Sequence, residues 1–230
     1  MAEPSGAHAY DQIRRGIVEG RYRPGERLVE QRIAEELDLS RTPVREAFRM
    51  LQSEGLVEVQ PNRGVRVRGL TVDEIGDLYE LRARLEAMAA ERAAARATTH
   101  DLAELTAAET EFAAAVSDAR TDDVSAIRRV FAANERFHGI VVSAAHHERL
   151  TQSLARAVDD TLVFQAFRHY QPAAMARSVL FHQMIAEAVR QREPDRAGRL
   201  VHEHVLQGRD QLLEVVGDRR SVDALYDAVR

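Results

Sequence analysis

Alternation of apolar and polar residues, the mark of a strand with one buried face, is found in only one part of this chain. LVEV (56–59) and VRVR (65–68) show it on either side of PNRG (61–64), and the pattern predicts a small β-hairpin. From Thr71 onward the strand signals stop and alanine-rich helical periodicity takes over. A chain so patterned folds as a mainly α protein with one small ribbon in its first third. Its 230 residues suffice for one large domain or two modest ones, and 45% hydrophobic content is enough to bury a core.

Ahead of the hairpin, Tyr10, Ile13 and Ile17 recur at helical spacing until Pro24-Gly25 breaks the run. A short helix over about 30–37 turns Ile33, Ala34 and Leu37 inward, and Asp38-Leu39-Ser40 is a brief turn. SRTPVREAFRML (40–51) opens the next helix: Pro43 is tolerated in a first turn, Ser40 or Thr42 can supply a cap oxygen, and Gly55 is placed to end it. Helix, helix, turn, helix and two-stranded ribbon give a winged helix-turn-helix in outline. Beyond it, helices are expected at about 71–97, 101–118, 122–145, 147–168, 173–191, 194–216 and 220–229. Thr121-Asp122, Gln171-Pro172 and Glu193-Pro194 punctuate them, and the short connections predict an antiparallel all-helical bundle. The boundary near Gly69-Leu70 divides residues 1–69 from residues 70–230.

The chain has no cysteine, which removes disulfides, zinc–thiolate sites and thiol nucleophiles and fits a reducing cytoplasm. No apolar run approaches the roughly 20 residues of a membrane span, and MAEPSGAHAY lacks a signal-peptide core, so a cytoplasmic protein is expected. The net charge of −5 does not by itself point to nucleic acid. The charge is uneven, however: residues 1–69 hold 12 arginines against 11 acids, and the remainder is acidic. Every basic residue is Arg and none is Lys, a bias of genomic base composition that weakens the meaning of any single arginine.

Arg41, Arg45 and Arg49 fall at i, i+4 and i+8 and form one stripe, while Val44, Ala47, Phe48 and Leu51 fall on another face. Two readings of the stripe stand side by side. One is a solvated face with ion pairs, for example Arg45 or Arg49 with Glu46 or Glu54. The other is a DNA reader, because arginine can make two hydrogen bonds to guanine in the major groove and a helix N-terminus suits a phosphate. Context favours the second: the stripe lies on the second helix of the helix-turn-helix, and Arg63 follows in the hairpin loop.

The run from Leu28 to Val67 strongly resembles the N-terminal domain of the GntR family of bacterial transcription regulators, most specifically in SRTPVREA, EGLVE and PNRG. The resemblance covers about residues 8–68 and implies that Arg41, Thr42, Arg45 and Arg49 face DNA, with Arg63 and Gly64 at the wing. Many members carry Glu-Arg near the start of the second helix; this chain departs with Glu30-Gln31 and has Arg32 one position on.

In the helical part, Asn134 and His138 lie four apart in NERFHGIV, with His182 in SVLFHQMI and His204 in LVHEHVLQG. Facing helices of a bundle can gather metal ligands, but by spacing alone this signal is weak, since a lone helical histidine is more often structural. LYELRARLEAMAAERAA and NERFHGIVVSAAHHERL, with the two later histidine helices, resemble the FCD ligand-binding domain of the FadR-type subfamily over about residues 71–216. That resemblance implies a divalent metal such as zinc or nickel on Asn134, His138, His182 and His204, with Asn134 where many members have Asp. It also places Arg82 near an effector cavity, where it would pair with a carboxylate; the alternative is an ion pair with Glu86 at i+4. His202 reads as a surface residue and His146-His147 as a variant helix cap.

The function so implied is a ligand-responsive, DNA-binding transcription regulator and repressor. It would be a homodimer on a pseudo-palindromic operator, nucleoid-associated when bound, with residues 1–69 binding DNA and residues 70–230 binding a small organic acid and dimerising. Two other readings remain: a regulator with a structural metal or none that senses an acyl or hydrophobic ligand, and a metal-dependent enzyme. The enzyme reading has no recognisable general base and leaves the basic N-terminal part without a role.

Overall fold

The computed structural model describes residues 6–60, 64–119, 123–157 and 160–219. The chain falls into two compact units whose boundary lies between Thr71 and Val72.

The first unit holds α1 (Gly6–Val18), β1 (Arg27–Leu28), α2 (Glu30–Leu37), α3 (Arg41–Ser53), β2 (Val57–Gln60) and β3 (Gly64–Val67). Ala9, Ile13 and Ile17 on α1 pack with Ile33 and Ala34 of α2 and Val44, Ala47, Phe48 and Leu51 of α3. Each helix thus buries its apolar stripe against the other two, and Leu28, Val57, Val65 and Val67 close the core from the sheet. Asp38, in the left-handed region at φ 54°, ends α2, and Leu39 N–H donates to Ala34 O at 2.8 Å across the turn. Asp is one of the few side-chain-bearing residues that visits this conformation readily. α3 ends in a Schellman motif: Leu56 N–H donates to Leu51 O at 3.0 Å and Gly55 N–H to Gln52 O at 3.1 Å, with Gly55 at φ 78°. At its other end, Ser40 sits at the N-cap in an extended conformation, but its side chain makes no capping hydrogen bond.

The sheet has three strands in the order β1-β3-β2, all antiparallel, with Leu28 opposite Val65 and Val57 opposite Val67. The expected hairpin is β2 and β3. β1 is an addition, too short at two residues to show any alternation in sequence. Pro61, Asn62 and Arg63 lie outside the described residues, so Arg63 at the expected wing tip has no structural account. Gly64, the first residue of β3, is exposed at φ 85°.

The second unit is all helical: α4 (Val72–Arg96), α5 (Thr99–Ser117), α6 (Val124–Ala144), α7 (Glu148–Ala157), α8 (Asp160–His169), α9 (Pro172–Arg190) and α10 (Pro194–Arg219). The helix expected over 147–168 is seen as two stretches, α7 and α8; Val158 and Asp159 between them lie outside the described residues. The expected helix at 220–229 lies outside the described residues.

α10 packs most extensively on α4, and α5 lies against α6 and α9. α5 opens with a capping box in which Thr98 and Asp101 satisfy each other's backbone N–H groups. His146, at φ 46°, follows the end of α6, its N–H donating to Ser143 O and its ring 3.0 Å from Asp101; it is the variant cap. Arg192 closes the end of α4 by donating to the carbonyls of Ala94 and Ala97.

Phe48 is a test of the first core. Phe48→Ala removes a buried ring shared by the helix-turn-helix and is expected to cost about 3–5 kcal/mol. A fall in the urea midpoint with an unchanged slope is the expected outcome; a midpoint within error of the parent's would show that the ring is not packed as described.

Candidate DNA-contact face and metal centre

On α3, the four residues Arg41, Thr42, Arg45 and Arg49 are all exposed, and Val44, Ala47, Phe48 and Leu51 are buried. The helix therefore presents its arginine stripe outward while the opposite face holds it in the core. The stripe is not simply solvated. Arg45 donates through Nε and Nη2 to the two carboxylate oxygens of Glu30, at 2.9 and 2.8 Å, and Arg41 Nη2 donates to the same carboxylate at 3.2 Å. Glu30 is the first residue of α2, so the clamp joins the starts of two successive helices. The expected partners of Arg45, Glu46 and Glu54, are not the ones found: Glu54 is held by Tyr10 at 2.6 Å and lies 3.8 Å from Arg14. Arg32, where the family's arginine is displaced by one position, pairs with Glu26 at 2.8 Å. Glu30 is held down to about 2 by the Arg45 hydrogen bonds first, against some cost of burial, and then by Arg41.

The second unit gathers a different set. His138 on α6, His182 on α9 and His204 on α10 are all buried, and each offers a ring nitrogen within 4.8 Å of the other two. His182 Nε2 and His204 Nε2 lie 3.1 Å apart. Two imidazole nitrogens about 2.1 Å from one ion, at tetrahedral or octahedral angles, would be roughly 3.0–3.4 Å apart, so this spacing suits a shared divalent ion. Burial, then the neighbouring histidines, pushes both His182 and His204 well below the ordinary imidazole value. Both are therefore neutral at neutral pH and carry a lone pair for a metal. Asn134, one turn before His138 on the same helix, is buried as well.

Around this cluster, Phe137 stacks on His182 with ring centroids 4.0 Å apart, and Phe112 lies 4.2 Å from the same ring. Arg82 and Glu86, both on α4, are buried together. Arg82 Nε donates to Glu86 Oε1 at 2.5 Å, which is the ion-pair arrangement at i+4. The other carboxylate oxygen, Oε2, lies 2.6 Å from His138 Nδ1. Burial pushes the Glu86 carboxyl up, but Arg82 and then His138 outweigh it and hold the group ionised. Nδ1 of His182, Nδ1 of His204 and both polar atoms of Gln207 are buried with no partner among the described residues. A buried amide left unpaired is costly, so the region offers more hydrogen-bonding capacity than the protein itself uses. Sequence reasoning missed the Glu86–His138 contact, Gln207 and the Glu30 clamp. Gln207 had a signal, lying three residues after His204 and so on the same face of α10. The link from Glu86 to His138 spans 52 residues and has none in a single sequence.

Residues 6–67 match the bacterial regulatory proteins of the gntR family, and residues 77–207 match the FCD domain. The chain belongs to the GntR family. The Nta operon transcriptional regulator of Aminobacter aminovorans is 31% identical over 205 residues, which span 89% of this chain and 92% of that protein. The HTH-type transcriptional repressor RspR of Escherichia coli strain K12 is 26% identical over 205 residues, covering 88% and 86% of the two chains. The solved structure of E. coli McbR/YncC shares the fold, with a TM-score of 0.75 and 19% identity over 96% of this chain and 100% of that one. This GntR member is a DNA-binding transcriptional regulator with an FCD domain. Among the described residues, no helix is long and apolar enough to cross a membrane.

The Glu30 clamp has a pH signature. Its carboxyl lies below the ordinary value of 4.5, so the stability it contributes is fully present above about pH 4.5 and is lost as pH falls toward about 2. Glu30→Gln is expected to make the acid limb of stability against pH shallower within that window. Parallel acid limbs for parent and variant would mean that the carboxylate does not hold the two arginines in solution.

Proposed function

We propose that this GntR member is a repressor that releases or retains its operator in response to a small organic acid bound beside a divalent metal. The observation that carries the reading is the buried triad His138, His182 and His204, three imidazoles converging in the FCD domain. With Asn134 they form a set of nitrogen and oxygen donors suited to zinc or nickel. When bound, the metal supplies a Lewis-acidic point for an effector carboxylate. Arg82 supplies the positive charge nearby, through guanidinium nitrogens other than the Nε that Glu86 takes. The hydrogen-bonding atoms of Gln207 are open to the same ligand. No general base accompanies the cluster in a recognisable motif, and the reading is that of a sensor rather than an enzyme.

At the other end of the chain, Arg41, Thr42, Arg45 and Arg49 on α3, with Arg63 and Gly64 of the wing, contact DNA. Two copies on a pseudo-palindromic site would place two such helices in successive major grooves, as a homodimer's symmetry requires. The likeness to a relative named as a repressor supports repression. The size of the response is set by how much more tightly the effector binds one state of the regulator than the other.

Two measurements test this. Arg45→Ala should weaken binding to a duplex selected from random sequence by about 1–3 kcal/mol at matched salt and relax preference at one position. Undiminished affinity would remove α3 from the interface. The double variant His138→Ala/His182→Ala should emerge from purification without the zinc or nickel that elemental analysis finds in the parent. Metal content equal to the parent's would place the ion elsewhere, and a metal-free parent stabilised in thermal shift by fatty acids would favour the hydrophobic-ligand reading.

A further inference from the structure

Among the described residues, His138 is the one of the three histidines whose Nδ1 has a protein partner. Its Nδ1 lies 2.6 Å from Glu86 Oε2, whereas Nδ1 of His182 and of His204 have none. We infer that Glu86 is the positioning residue of the metal centre: it accepts a hydrogen bond from His138 Nδ1–H and so leaves the lone pair on Nε2, aimed at His182 and His204. This rests on the metal reading above.

The chemistry follows from the two ends of the imidazole. A carboxylate can only accept, so the ring nitrogen held against Glu86, Nδ1, is the one that carries a proton. The ligand atom is then Nε2 by elimination. The ring lies close to both other histidines, parallel to His204 with centroids 5.3 Å apart and edge-on to His182 at 5.2 Å. Carboxylate partners of this kind fix tautomer and rotation and make the imidazole a better donor. Arg82 completes the arrangement by occupying the other carboxylate oxygen, so each oxygen of Glu86 has its own buried partner.

A purely structural role fits less well. A buried ion pair is a poor source of stability, because removing two charges from water offsets most of their attraction. An apolar pair of similar volume does as well or better in many cores, whereas deleting one partner strands the other. Retention of both charges beneath a histidine cluster is accounted for by what the carboxylate does to His138.

The test uses the full-length protein and two ions, Zn(II) and Ni(II), titrated in competition with a chromogenic chelator. Glu86→Gln can leave Arg82 uncompensated, so the decisive variant is the double Arg82→Met/Glu86→Leu, which removes both charges at nearly constant volume. It should keep its helical content and melt no lower than the parent, yet bind both ions roughly 10–100-fold more weakly. Glu86→Asp should recover part of the affinity. Nitrogen-15 spectra of the histidine rings give a readout that a packing role would not move: His138 should be protonated at Nδ1 in the metal-free parent and lose that preference in the double variant. A folded double variant with parental affinity for both ions overturns the inference while leaving the metal site standing, as does an Nε2–H tautomer at His138 in the metal-free parent. A parent that takes up neither ion overturns the metal reading itself and this inference with it.

Discussion

Small side chains set the geometry of the FCD domain. Ala83, Ala89, Ala90, Ala93 and Ala94 are all buried along α4, and α10, its most extensive partner, brings Gly198 against Glu91 so closely that a Cβ there would fall 2.6 Å from the carboxylate. Helices with such faces approach near the short end of the usual interaxial range. An imidazole reaches only a short way from its own helix axis. His138, His182 and His204 come from three different helices, and their nitrogens meet within 4.8 Å of one another. Larger side chains along the alanine face of α4 would act on the histidine cluster without touching it, by holding the helices apart.

Glu30 and Glu86 show how burial changes one chemical pairing. Each is a carboxylate held by arginine, and each is the second partner of a residue singled out by sequence. At Glu30 the arginines are more than half exposed, with 62% and 52% of the Arg41 and Arg45 side chains open to solvent, so solvent screens the pair and another anion can replace Glu30. That would suit the proposed DNA-contact face, which on binding would trade one set of acceptors for phosphates and base edges. At Glu86 the pair is 5–8% exposed, and exchange would leave a charge stranded in the core. The first arrangement can be rearranged by a partner; the second holds its shape.

The parts of this molecule legible in sequence are those decided by local periodicity. α2 spans the expected residues 30–37, and the stripe of α3 faces out as Arg41, Arg45 and Arg49 predict, because a 3.6-residue repeat leaves few choices. The hairpin was legible from its alternation, while β1 was not, since its two residues pair with β3 only once the chain between has folded back. In the candidate site the histidines could be named by likeness to a family, but their partners could not. The ion pair from Arg82 to Glu86 is a local i+4 spacing, and the contact from Glu86 to His138 depends on how α4 and α6 are packed. Likewise Ser40 has the composition of a cap and the backbone of one, yet makes no cap bond, since composition states what a side chain can do and not which way it turns.

The engagement of Arg82 limits how an acid effector can act. Its Nε is already committed to Glu86, so an incoming carboxylate meets the remaining guanidinium nitrogens and shares the cation with a buried anion. Two anions on one guanidinium repel each other, and the Glu86 side of that contest is tied to His138. On the proposed reading, effector and metal would be linked through a single chain of three side chains, and linkage is reciprocal: whatever factor the metal exerted on effector affinity, the effector would exert on metal affinity. A monocarboxylate bound through Arg82 alone would loosen the hold on His138, whereas an acid that also reaches the metal recovers that loss by coordinating it. If the proposed metal and acid are both bound, acids that chelate, with a second oxygen placed next to the carboxylate, would be favoured over simple ones of equal charge, and selectivity would arise from where the second oxygen lies and not from the charge that attracts the ligand.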